Sequence, residues 1–69
     1  MFIINGNDSY NTDHILKFYV LDDKIYAVFN IDPKYGCEEI IYKGDDAEHW
    51  LNEIHCALQR GETAWWIKE

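Results

Sequence analysis

The chain predicts a small α+β domain: a largely antiparallel sheet of four or five strands in β-β-β-β-α-β order, with one helix packed on one face. Three observations carry that reading. Short runs rich in Ile, Val, Phe and Tyr are separated by polar turn residues through the first two thirds of the chain. A single stretch, from Ala47 to Leu58, changes to helical spacing. A last apolar run, Thr63 to Lys68, follows a glycine and returns to strand character. With 69 residues there is room for one domain, spanning 1–69.

Met1 to Ile4 is a short first strand, and Asn5 to Asp13 (NGNDSYNTD) reads as a polar loop. His14–Leu21 and Lys24–Asp32 form a hairpin across the tight break Asp22-Asp23. Pro33-Lys34-Tyr35-Gly36 is a β-turn signal, with proline early and glycine last, and Cys37 to Lys43 is the next strand. Asp45 with Glu48 three residues on resembles a capping box, with Asp in place of Ser or Thr. Ala47, Trp50, Leu51, Ile54, Ala57 and Leu58 then make one apolar stripe, and Gly61 is placed to end the helix.

Strand alternation sorts the side chains into two faces. Leu16, Phe18, Val20, Ile25, Ala27, Phe29, Ile31, Ile40, Tyr42, Trp65 and Ile67 point inward under the helix. Ile15, Tyr19, Leu21, Tyr26, Val28, Asn30, Ile41 and Trp66 point outward, among Lys17, Cys37, Glu39, Lys43 and Lys68. One helix covers one face, so the other face is expected to expose more apolar surface than a monomer ordinarily leaves bare.

Charge narrows the function by exclusion. Thirteen Asp and Glu against six Lys and Arg give a net charge of −7, alongside eleven aromatic side chains. Such a surface repels nucleic acid and anionic lipid, so neither is expected as a direct partner. No run approaches the ~20 apolar residues of a membrane span, and Met1–Ile4 is too short for a signal-peptide core. A cytoplasmic protein with Cys37 and Cys56 as reduced thiols is expected.

Catalytic and metal readings fail on spacing. His49, Glu53, Cys56 and Arg60 line one helix edge, but the close Cys/His pairs of a zinc site are missing. Asn5, Asn7, Ser9, Asn11 and Asp13 put oxygens at alternate positions without the glycine and closing glutamate of an EF-hand. No nucleophile elbow or phosphate-binding glycine loop occurs. No cofactor, metal or enzymatic activity is therefore expected.

What remains is a binding module. Trp66, Tyr19 and Tyr26 are the expected aromatic anchors. Asp22, Asp23, Glu38, Glu39 and Glu53 are expected to meet basic residues of a protein partner. In size, acidity and simple α+β layout, though in no motif, the chain resembles phage-encoded inhibitors of host defences, including anti-CRISPR proteins. The module is expected to act by occluding a partner's surface, with a DNA mimic whose carboxylates fill a basic nucleic-acid-binding groove as the sharper case. The alternative is a structural domain that forms a homodimer through the same aromatic face.

Overall fold

The computed structural model describes residues 1–29 and 37–67. Its elements are β1 (Phe2–Asn5), β2 (Asp8–Asn11), a 3-10 turn (Thr12–His14), β3 (Ile15–Leu21), β4 (Lys24–Phe29), β5 (Cys37–Lys43), α1 (Ala47–Arg60) and β6 (Ala64–Trp66). The α+β class and the single helix agree with the sequence reading. The sheet does not: the described residues form two three-stranded sheets, ordered β2-β1-β6 and β3-β4-β5. The expected Pro33–Gly36 turn, the last residues of the expected Lys24–Asp32 strand, and Lys68 lie outside the described residues.

The segment read as a polar loop supplies the unexpected strand. Asn5 pairs with Asp8 across Gly6-Asn7, so β1 and β2 form a tight hairpin. The asparagines that suggested a loop in fact serve a two-residue turn and an Asx contact, in which Asn11 Oδ1 accepts from the Asp13 amide at 3.0 Å. On its other side β1 pairs in parallel with β6, Phe2 against Ala64 and Ile4 against Trp66. A parallel pair needs a long crossover, and the chain between β1 and β6 contains all the remaining elements.

In the second sheet, β3 and β4 are joined by Asp22-Asp23, with Leu21 opposite Lys24. Both aspartates adopt positive φ, 52° and 60°, as both central residues of a type I′ turn must. Helix α1 starts after Asp46, whose side chain makes no capping bond, so the capping box expected at Asp45 and Glu48 does not form. The helix end follows expectation. Gly61 is left-handed at φ 75°; its amide reaches Leu58 O at 3.1 Å and the Glu62 amide reaches Ala57 O at 3.2 Å. That pair of bonds is a Schellman motif.

Helix α1 lies against β3 and β4. Ile3, Ile25, Ile41 and Ile54 are the largest fully buried side chains, one each from β1, β4, β5 and α1. Both sheets and the helix therefore share one core, where truncating any of these isoleucines to alanine costs about 2–5 kcal/mol. Asn5 adds a polar tie between the sheets, its Nδ2 donating to Ile41 O at 2.9 Å.

Two irregularities correct the face assignment. The β3–β4 register shifts between Ile15 and Lys17, and the β4–β5 register shifts opposite Ile25 and Tyr26. A bulge resets alternation, because one extra residue exchanges the two faces beyond it. Ile15 consequently packs on the core while Leu16 is 68% exposed, and Ile41 is buried while Ile40 is 46% exposed. Both pairs are the reverse of strict alternation. Trp65, packed on the core, and Trp66, exposed, fall as alternation requires.

Candidate protein-binding surface

The face of β3–β4–β5 turned away from the helix is built of cross-strand rows. The central row is Tyr19, Tyr26 and Ile40. On one side stand Leu21, Lys24 and Lys43, and on the other Lys17, Val28 and Glu38. Directly paired residues share a face, so these nine side chains form one surface. The Tyr19 and Tyr26 rings stack with centroids 4.8 Å apart and planes at 8°. Lys17 Nζ lies 5.4 Å from the Tyr19 centroid, within cation–π range.

Tyr19 is fixed at its far end as well. Its hydroxyl donates to Glu38 Oε1. That bond, then desolvation and the Glu38 charge, pushes the phenol up to about 12. Stacking, the hydrogen bond and Lys17 hold the ring in place, so little rotamer freedom remains for a partner to remove.

Beside Leu21, on the helix side of the β3–β4 turn, lies an acidic cleft of about 630 Å3, lined by the turn aspartates Asp22 and Asp23, by Asp45, Asp46 and Glu48 at the helix start, and by Val20, Ala47 and His49. Each carboxylate has a local reason to be there: a turn in one case, the positive end of the helix dipole in the other. Together they concentrate negative potential. Among the described residues the one ion pair is Arg60–Glu62, at 3.3 Å at the opposite end of the helix, so none of these carboxylates is in a described ion pair.

The structure brings together Tyr19, Tyr26 and Glu38, with Asp22 and Asp23 at the border. It does not bring in the rest. Trp66, 54% exposed, belongs to the other sheet, where it shares a face with Ile4 and exposed Phe2. Glu39 pairs with Ala27, on the opposite face from Tyr26. Glu53 is half-buried on α1. Ile40 and Lys24 belong to the surface and were not singled out from sequence. Lys24 was legible, being in phase with Tyr26; Ile40 was hidden by the bulge.

Among the described residues no cluster of His, Cys, Asp and Glu is arranged to hold a metal ion, and Cys37 and Cys56 are free thiols. No described helix is long and apolar enough to cross a membrane. No family model, curated protein or solved structure was found to match the chain.

Proposed function

We propose that the chain is a non-enzymatic protein-binding module that docks a partner through the tyrosine face of β3–β4–β5. The observation that supports this best is the Tyr19–Tyr26 stack: two rings pre-ordered on a sheet face that the helix leaves uncovered, with exposed Ile40 and Leu21 beside them. Rigid aromatics flanked by apolar neighbours and a polar rim have the composition of a binding hot spot. The acidic cleft beyond Leu21 would meet basic groups of the partner and speed encounter at low salt. Acting this way the domain would occlude its partner's surface, as the small phage-encoded inhibitors it resembles do. A basic nucleic-acid-binding groove is one surface its carboxylates would suit.

A second copy of the chain is the competing occupant, and one feature favours it. Lys43 and Glu38 stand on β5 on opposite sides of the central row. A twofold axis along that row would set Lys43 of each copy over Glu38 of the other. Light scattering separates the two readings. A stable dimer abolished by Tyr26→Ala supports self-assembly. A monomer whose capture of one protein is lost on Tyr26→Ala supports the partner reading. Capture unchanged by Tyr26→Ala removes the face from both.

A further inference from the structure

A second cleft, also about 630 Å3, opens on the opposite side of β5 from the tyrosine face, between β2 and the ends of β4 and β5. Its walls are the rings of Tyr10 and Phe29, with centroids 6.3 Å apart and planes tilted by 39°. Both rings pack on the core, so the walls are held from behind. Asp8 and Glu39 line the same space with exposed carboxylates. Ser9, Asn11 and His14 complete the described lining, which holds no lysine or arginine.

Two aromatic rings packed on the core, with two carboxylates beside them, supply the groups of a cation receptor. The ring quadrupoles attract positive charge over their faces, and the carboxylates supply the counter-charge. An anion would meet two like charges, and a neutral apolar group would leave both carboxylates beside a desolvating ligand. We infer that the Tyr10–Phe29 cleft receives an organic cation of side-chain size, an alkylammonium or guanidinium group presented by a protein partner. The negative potential it requires is visible in Tyr10 itself, whose phenol is raised first by burial and then by the charges of Asp8 and Glu39. Glu39, which takes no part in the tyrosine face, acquires a role here.

This inference rests on the protein-binding reading only for the source of the cation, and it is tested without any partner. Butylammonium, ethylguanidinium and neutral butan-1-ol are titrated into the labelled full chain while the ring resonances of Tyr10 and Phe29 are followed by NMR. Saturable millimolar shifts with at least one cation and none with butanol are expected. The exposed carboxylates permit Asp8→Asn with Glu39→Gln without touching the core; that pair should weaken cation binding roughly tenfold or more, while Tyr10→Phe, which keeps the ring, should retain it. Absence of saturable shifts with either cation, equal shifts with butanol, or undiminished binding in the carboxamide variant would overturn the assignment. None of those results bears on the tyrosine face.

Discussion

Tyr19 stacks on Tyr26 across the β3–β4 ladder, ring centroids 4.8 Å apart and nearly parallel. Offset stacking of this kind contributes about 0.5–1.5 kcal/mol beyond area burial. A double-mutant cycle of Tyr19→Ala and Tyr26→Ala, read by urea unfolding, should return a coupling in that range. A coupling near zero would show that the rings do not hold one another, and the pre-ordering of the tyrosine face would be lost with it.

The Tyr19 hydroxyl provides a pH signature. Its pKa is raised in the folded state to about 12 from the ordinary 10.0, chiefly by donating to Glu38. The proton is thus bound more tightly when folded. The associated stabilisation is complete below pH 10 and is lost as pH rises through 12. Tyrosinate absorbance should show late titration from Tyr19 besides that of Tyr10, whose phenol is also raised, and Glu38→Gln should bring the Tyr19 component back toward 10.0. An unchanged titration in that variant means that the bond is not made.

The β3–β4 turn carries two non-glycine residues at positive φ, Asp22 and Asp23. Asn-Gly is the sequence such a turn favours. Asp23→Gly should therefore stabilise the domain by roughly 0.5–1 kcal/mol, a rise of several degrees in Tm for a domain of this size. It also removes one carboxylate from the acidic cleft. If that cleft meets basic groups, the same variant should bind its partner more slowly at low salt while melting higher, and a parallel change in both would contradict the division of roles.

Gly44 sits directly against a buried tyrosine. A Cβ there would lie 2.5 Å from the Tyr42 hydroxyl and 3.0 Å from its Cζ. Tyr42 is only 6% exposed and packs near Trp50, ring centroids 6.5 Å apart, so the ring has little room to retreat. Gly44→Ala should cost about 1–3 kcal/mol. A neutral result in thermal melts would mean that the ring yields.

Trp65 and Trp66 are adjacent and should behave oppositely. Trp65 packs on the core, with the Arg60 guanidinium 5.8 Å from its ring centroid. Trp66 is 54% exposed. Trp65→Ala should destabilise by about 2–4 kcal/mol and Trp66→Ala by less than about 1. Denaturant melts giving comparable losses would reject this assignment of the two faces.

The tryptophan pair and the helix show what was legible in the sequence. Both depend on local periodicity, which alternation and the 3.6-residue repeat express within a few residues. The Schellman end at Gly61 was legible for the same reason. The two-sheet division was not, because the parallel pairing of β1 with β6 joins residues some sixty positions apart and leaves no local mark. Nor were the bulges that exchange Ile40 with Ile41 and Leu16 with Ile15, since apolar neighbours on both sides make either phase look acceptable. Those misses matter for the site. They kept Ile40 off the tyrosine face, put Glu39 on it, and assigned Trp66 to a sheet it does not join.

The central claim is that the tyrosine face is where this domain is covered. Ile40 is the position to interrogate, being 46% exposed beside Tyr26 and outside the stack. A photo-crosslinking amino acid is placed there, and as a control at exposed Gln59 on the helix, in cells that produce the protein. One discrete adduct from position 40 and none from position 59 is the predicted result, its mass distinguishing a partner from a second copy. No adduct from position 40, or the same adducts from both positions, would contradict the account.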